Sequence, residues 1–219
     1  MKFSVILADP AWNYETWAPD GAHRSPERHY AVSSLDSMSA LPVDMIAARD
    51  SVLLMWSTWP MMVQGIALMT AWGFNFKTGI PWLKLSKDGL PRIGTGYHTR
   101  VCSEYIMIGT KGSPRAPEPF ERLPGIILAK QGSHSAKPDD QYTFAELYDG
   151  PYIELFARRY REGWVSLGNE LDGLDLSESI RNVADDQSVP VVLKPQMLLE
   201  CFMPQTHLFQ SEEEEEVAA

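Results

Sequence analysis

The stretch VILADPAW, residues 5–12, decides the fold. Its apolar half, residues 5–8, is typical of a buried strand in a parallel sheet, and Asp9-Pro10 ends that strand because proline cannot donate to the ladder. Ligands of open α/β sheets bind just beyond the carboxyl ends of the strands. The stretch therefore predicts that a carboxylate, a backbone carbonyl and an indole emerge together at a binding edge, from Asp9, Pro10 and Trp12.

This group of residues suits a planar amine. The Asp9 carboxylate and the Pro10 carbonyl can accept both hydrogens of an exocyclic amino group, while the Trp12 ring can stack on the heterocycle that carries it. Asp-Pro also begins ordinary turns, and a Trp that follows it can simply fill the core. The tetrapeptide alone therefore leaves a reactive site and a plain turn both open.

The rest of the chain, up to about residue 172, alternates strands with helices. This order predicts an α/β fold with a mostly parallel sheet flanked by helices. Long polar loops at residues 13–34 and 84–100 separate some of these elements and carry basic side chains. The predicted strands cover residues 51–56, 74–82, 104–108, 126–129, 152–156 and 163–167, and the predicted helices cover residues 34–41 with a continuation over 43–48, 60–72 and 139–148.

The net charge of −10 belongs to the end of the chain. Residues 1–169 contain 17 acidic and 17 basic residues, so this part can still present a basic face to nucleic acid. We predict a domain over residues 1–172, an extension over 173–210 whose docking the sequence does not decide, and a disordered acidic tail over 211–219.

Cysteine and histidine usage points away from metals and disulfides. Cys102 and Cys201 are far apart, and the five His residues show no zinc-type spacing, so we expect no metal site and a reducing compartment. Met1-Lys2-Phe3 leads directly into the first strand, and no apolar stretch reaches transmembrane length. These features predict a soluble cytoplasmic protein without a membrane partner.

Polar residues follow several of the predicted strands. Lys137, Arg158, Asn169 and Glu170 come after strands that, together with the Asp9 strand, all end on one side of the sheet. Each residue alone reads as a solvated side chain or a turn former, but convergence at several strand ends is how α/β sheets build cofactor pockets. No G-x-G-x-x-G follows a strand and no P-loop motif occurs, which disfavours nicotinamide dinucleotides and P-loop nucleotides.

An ordered series of short segments covers most of residues 5–172. Taken together, these segments resemble the MT-A70 family of adenine N6 methyltransferases. The segments are ADPAW at 8–12, SVLLMWST at 51–58, AWGF at 71–74, WLK at 82–84, GTGY at 94–97, EYIMIGTKG at 104–112, HSAKPD at 134–139, ELFAR at 154–158 and GW…LGNELDG at 163–173.

This resemblance implies a Rossmann-like methyltransferase fold, with permuted motif order, and S-adenosylmethionine as methyl donor. It makes Asp9, Pro10 and Trp12 catalytic. With Asp9, the expected cofactor contacts are Lys137 to the donor's carboxylate, Asn169 and Glu170 to its ribose hydroxyls, and Arg158. The expected nucleic-acid contacts are Trp12 by stacking, Tyr14, and three arginines of the basic loops, Arg24, Arg28 and Arg100.

The chain departs from the family pattern at one reacting segment. The family usually has Asp-Pro-Pro-Trp, whereas Ala11 stands here in third place, which loosens the loop without removing a reacting group. The compact form is similar to bacterial and phage members, which implies DNA as the substrate and a bacterial or phage-infected cytoplasm. RNA adenine, cytosine N4 and a catalytically silent binding module stay open as alternatives, as do a homodimer and a partner subunit.

Overall fold

A seven-stranded sheet organises the computed structural model, which describes residues 1–12, 34–96, 98–132 and 136–185. The strands lie side by side in the order β5-β3-β4-β2-β1-β6-β7. Their bounds are Phe3–Ala8 (β1), Ala47–Ser57 (β2), Asn75–Leu85 (β3), Ser103–Lys111 (β4), Ile127–Lys130 (β5), Tyr152–Leu155 (β6) and Trp164–Leu167 (β7). The described α-helices are Leu35–Ser39 (α1), Met62–Ala71 (α2), Asp140–Ala145 (α3), Asn169–Asp172 (α4) and Leu176–Ala184 (α5), with 3₁₀ turns at Val43–Met45 and Trp59–Met61.

Strand direction decides where a site can form. Four of the six strand pairings are parallel, and only β4 runs against its neighbours β2 and β3. All other strands therefore end at one side of the sheet, which we call the carboxyl edge, and β4 begins there. This arrangement confirms the predicted α/β class and the mostly parallel, Rossmann-like sheet.

Strand β1, which lies between β2 and β6, is apolar on both faces because both faces are covered. Ile6 and Ala8 belong to one hydrophobic cluster, with α2 and α5, whereas Val5 and Leu7 belong to another, with α3. Burial on both sides requires a nearly continuous apolar run rather than an alternating one. The first polar side chain after β1 is Asp9, which is why the carboxylate emerges at the carboxyl edge.

The predicted helical continuation over residues 43–48 is wrong. The chain makes only a 3₁₀ turn at Val43–Met45, and β2 begins at Ala47. The Phe3 amide donates to the Ile46 carbonyl at 2.8 Å, and Ala47 pairs with Phe3 in the sheet. Strand pairing thus overrides the local helical pattern. The helix predicted over 139–148 is also shorter, because α3 ends at Ala145.

Part of the predicted C-terminal extension packs on the core. Helix α5 starts at Asp175, whose side chain accepts the Ser177 amide as an N-cap. Its buried side chains Leu176, Ile180 and Val183 join the cluster beneath β1 and β7. Residues 186–219, with the predicted acidic tail, lie outside the described residues. In the described part of the chain, no helix is long and apolar enough to span a bilayer.

Candidate active site

Asp9 stands one residue beyond the end of β1, in a turn fixed by backbone hydrogen bonds. Its amide donates to the Leu155 carbonyl at the end of β6 (3.4 Å), and the Trp12 amide donates to the Pro10 carbonyl (2.9 Å). A carbonyl oxygen has two lone pairs, so Pro10 can accept a second donor. The turn therefore holds the Asp9 carboxylate and the Pro10 carbonyl at the same edge.

Lys137 meets Asp9 directly. Its ammonium lies 2.9 Å from Asp9 Oδ1 and 3.0 Å from Oδ2, and 3.6 Å from Glu104 Oε2 at the start of β4. Lys84 pairs with the other oxygen of Glu104. The Lys137 ammonium is also 5.5 Å from the ring centre of Trp56, within range of a cation–π contact. Two acids and two lysines thus form one largely buried, charge-balanced network.

The network keeps Lys137 charged. Burial would lower the pKa of its ammonium, but the carboxylates of Asp9 and Glu104 oppose burial and hold that pKa above its ordinary value. Arg158 is near enough to work against them by charge repulsion. Asp9 therefore faces a permanent cation, and a second cation lies close by.

A second acid, Glu154, is buried in β6 beside β1. It pairs with Leu7 across the sheet, and the Tyr142 hydroxyl donates to its Oε2 at 2.9 Å. Burial raises the pKa of Glu154 to about 7, against the lowering effect of the Tyr142 hydrogen bond. Burial and the charge of Glu154 also raise the pKa of Tyr142. This pair puts a titratable group near neutral pH beside the candidate site.

Sequence reasoning missed Glu104 and Glu154 as site residues. The available signal was a single acid within an apolar strand, in EYIMI and in YIELF. A charged residue almost never lies fully inside unless it is paired. Here Lys137 and Lys84 pair with Glu104, and Tyr142 hydrogen-bonds to Glu154.

The ends of β6 and β7 form a narrow backbone cradle. Phe156 has a φ of 62°, a strained value for a bulky residue and one that clusters at ligand sites. A Cβ on Gly168 would lie 2.1 Å from the Ala157 carbonyl oxygen, so only glycine fits there. Arg158 and Glu170 extend from the two ends and approach to 3.9 Å (Nε to Oε1), and Asn169 begins α4.

The Trp12 side chain is buried rather than open to solvent. Its side chain is 5% exposed, packs in the cluster that contains Ile6 and Ala8, and donates its indole N–H to the Trp56 carbonyl at 3.1 Å. Its stacking role on a base stays a prediction.

Of the remaining predicted contacts, Arg100 falls within the described residues. Arg100 is exposed in the β3–β4 loop (residues 86–102), and its guanidinium N–H donates to the Gly94 carbonyl at 3.5 Å. Tyr14, Arg24 and Arg28 lie outside the described residues. In the ranges that the structure describes, no three His, Cys, Asp or Glu side chains are grouped to hold a metal ion.

The sequence is similar to a family of known methyltransferases. The family model MT-A70 matches residues 3–170. The chain is 31% identical over 181 residues to the N(6)-adenosine-methyltransferase catalytic subunit METTL3 of Homo sapiens, covering 80% of this chain and 29% of that protein. It is 30% identical over 186 residues to the N(6)-adenosine-methyltransferase MT-A70-like of Arabidopsis thaliana, with coverages of 82% and 25%.

A shorter relative matches along most of its length. The chain is 30% identical over 190 residues to the Type II methyltransferase M.MunI of a Mycoplasma species, and the match covers 78% of each protein. By contrast, the chain spans only 24% to 29% of the length of the plant and animal relatives. The similarity therefore concerns one domain of those larger proteins and most of M.MunI.

Proposed function

The chain belongs to the MT-A70 family of adenine N6 methyltransferases, and we propose that it transfers a methyl group from S-adenosylmethionine to N6 of adenine in DNA. The observation that carries the proposal is the Asp9 carboxylate, held by Lys137 at the carboxyl edge in the turn ADPAW. The match to the Type II methyltransferase M.MunI, which covers 78% of each protein, supports DNA over RNA.

The chemical problem is the weak nucleophilicity of the adenine amine, whose lone pair is delocalised into the ring. Hydrogen bonds from its two N–H groups to the Asp9 carboxylate and the Pro10 carbonyl would hold the nitrogen and draw it toward tetrahedral geometry. The lone pair then points away from both acceptors. The Asp9 charge stabilises the positive charge that grows on nitrogen as the new bond forms, because it is fixed before the reaction starts.

The residues at the carboxyl edge fit S-adenosylmethionine. The donor is a zwitterion with a ribose, and this edge offers the Lys137 and Arg158 cations, the Glu170 carboxylate, the Asn169 amide and the backbone cradle at Gly168. We assign Lys137 to the donor's carboxylate, Asn169 and Glu170 to its ribose hydroxyls, and Arg158 to a supporting cofactor contact. When bound there, the donor would supply an electrophilic methyl group and leave as S-adenosylhomocysteine when its methyl–sulfur bond breaks, and the extra proton on N6 is then lost to water. Lys137 would then link the donor to Asp9, which aligns the two reactants.

The target base must leave the duplex to reach Asp9. The amine inside a base pair is not accessible, so the enzyme extrudes the base or acts on an unpaired strand. Exposed Arg100, with the arginines of residues 13–34, is our candidate for phosphate contacts, which position a strand without reading its sequence. We assign Trp12 to stacking on the extruded base.

A direct assay tests this proposal. The full chain is incubated with methyl-labelled S-adenosylmethionine and DNA or RNA of matched sequence, and the nucleosides are then separated and identified. We expect N6-methyladenine in DNA. Label on RNA adenine alone, the activity that the names of the longer relatives suggest, would replace DNA with RNA as the substrate. Label on cytosine alone would refute adenine as the target, and no label on either polymer would refute the enzyme.

A further inference from the structure

Trp59 presents an open aromatic surface at the carboxyl edge. It follows β2 directly, in the 3₁₀ turn Trp59–Met61, and its side chain is 47% exposed. Single exposed apolar residues are ordinary on protein surfaces. Trp59 differs because two contacts hold its ring in one orientation.

Those two contacts come from β4. The Trp59 indole N–H donates to Ser103 Oγ at 2.9 Å, and its ring lies 4.7 Å from the Tyr105 ring, centre to centre, with 36° between the planes. The Tyr105 hydroxyl donates in turn to the Thr58 carbonyl at 3.4 Å. One side of the indole is therefore covered by Tyr105 while much of the ring stays open to solvent. Fixing the ring before binding lowers the entropy lost when a partner binds.

The position of Trp59 relative to Asp9 follows from strand alternation. Successive side chains of a strand point to opposite faces, so Ser103 and Tyr105 lie on the face opposite to Glu104. Glu104 belongs to the Lys137–Asp9 network, whose Lys137 lies over Trp56 in the cluster with Val5 and Leu7, whereas Tyr105 packs in the cluster with Ile6 and Ala8. Trp59 is thus at the same edge as Asp9 but on the other face. A ring stacked on Trp59 is a different ring from the one whose amine Asp9 would hold.

The neighbouring loop supplies the charge that a nucleic-acid strand needs. The β3–β4 loop joins the end of β3 to the start of β4, next to the end of β2, because β4 runs against both strands. It contains Lys87, Arg92 and Arg100 against one acid, Asp88, for a net charge of +2. All three basic side chains are exposed. A stacking ring beside a basic loop is the usual combination for binding single-stranded nucleic acid.

We propose that Trp59 is a stacking platform for a nucleobase that flanks the target adenine in the substrate strand. The flanking base lies on the open face of the Trp59 ring, away from Tyr105, and the β3–β4 loop holds the adjoining phosphates. This proposal rests on the proposed nucleic-acid methyltransferase function and deepens it, because it assigns a second base to a second site. The platform helps to keep the strand unstacked while the target base lies at Asp9.

The test removes the bases from the DNA strand and the indole from the protein, separately and together. Binding of a labelled single-stranded DNA 20-mer, and of an abasic strand with the same phosphates, is measured by anisotropy for the full chain and for Trp59→Ala. We expect Trp59→Ala to bind the base-bearing strand roughly 5- to 100-fold more weakly. The abasic strand should bind both proteins equally. Trp59→Phe should keep most of the preference for bases, because it keeps a ring.

A matched control lies at the opposite edge of the sheet. Phe120 is 85% exposed in the loop between β4 and β5, so Phe120→Ala should leave binding of both strands unchanged. An equal loss for the base-bearing and abasic strands in Trp59→Ala would overturn the platform. So would unchanged DNA binding with a shift in oligomeric state by sedimentation, which would assign Trp59 to a protein interface.

Methyl transfer measured in parallel separates the two proposals. If the full chain methylates DNA but Trp59→Ala has an unchanged KM for the 20-mer, the platform is wrong and the function stands. If the full chain methylates neither DNA nor RNA, the proposed function fails, and the platform fails with it.

Discussion

At the scale of single residues, the candidate site is a set of buried, paired charges around Asp9. Lys137 is nearly enclosed, yet it stays charged because Asp9 and Glu104 surround it. Sequence reasoning found Asp9 and Lys137 because they follow strands. It did not find their contact with Glu104, because that contact depends on the pairing of β4 with β2, which local sequence does not encode.

Removing the Lys137 charge should weaken donor binding. Lys137→Met keeps the stem over Trp56 but loses the charge, and we expect affinity for S-adenosylhomocysteine, which carries the same carboxylate, to fall about 10-fold or more. Isothermal titration calorimetry measures this. Lys84→Met is the control, since Lys84 touches Glu104 but is not paired with Asp9. An affinity within twofold of the unmodified protein for Lys137→Met would contradict the assignment.

Glu154 should make stability depend on pH. Its pKa of about 7 in the folded chain lies above its ordinary value of 4.5, so between these values the folded state binds more protons than the unfolded state. Stability from this group is therefore present below about pH 4.5 and is lost as pH rises through 7. The amide oxygen of Glu154→Gln can still accept the hydrogen bond from the Tyr142 hydroxyl, but the amide does not titrate. This variant should therefore not lose stability as the pH rises through 7.

Urea unfolding at pH 5 and pH 8 checks the Glu154 prediction. The stability of Glu154→Gln relative to the unmodified chain should increase from pH 5 to pH 8, by up to about 3 kcal/mol. The exposed acid Glu118, which pairs with Arg115, provides the control Glu118→Gln. Parallel pH profiles for Glu154→Gln and the unmodified chain would show that Glu154 titrates normally.

At the scale of elements, the ends of β6 and β7 form the cradle through close backbone approach. The Ala157 amide donates to the Leu167 carbonyl at 2.9 Å, and Gly168 lies against the Ala157 carbonyl. The sequence predicted both strands and the polar residues after them. It did not predict the contact between their ends, because a glycine after a strand looks the same whether or not another chain segment lies against it.

A methyl group at Gly168 should therefore damage the cradle. Gly168→Ala places a Cβ 2.1 Å from the Ala157 carbonyl oxygen, which must move, and we expect a loss of about 1–3 kcal/mol of stability together with weaker donor binding. Gly125→Ala is the control, because nothing lies within 4 Å of its added Cβ. Urea unfolding and donor titration measure the two effects. Equal behaviour of the two variants would remove the steric argument.

At the scale of the whole molecule, sequence pattern was enough for the fold class and for the edge of the sheet at which Asp9 and Lys137 meet. The buried strands are distinct apolar runs, and their alternation with helices predicts a mostly parallel sheet, but it did not predict that β4 runs against its neighbours. Two features required tertiary structure. Trp12 packs in the cluster around Ile6 and donates to the Trp56 carbonyl, and residues 43–48 form a turn and the start of β2 instead of a helix.

The Asp9 carboxylate gives the most direct test of the account. Asp9→Asn keeps the shape of the side chain and one acceptor but removes the negative charge. We measure single-turnover methyl transfer to DNA and donor affinity on the same sample. The rate should fall by about 100-fold or more, while donor binding changes little. Transfer at the rate of the unmodified protein, with the donor bound, would contradict the proposed role of Asp9.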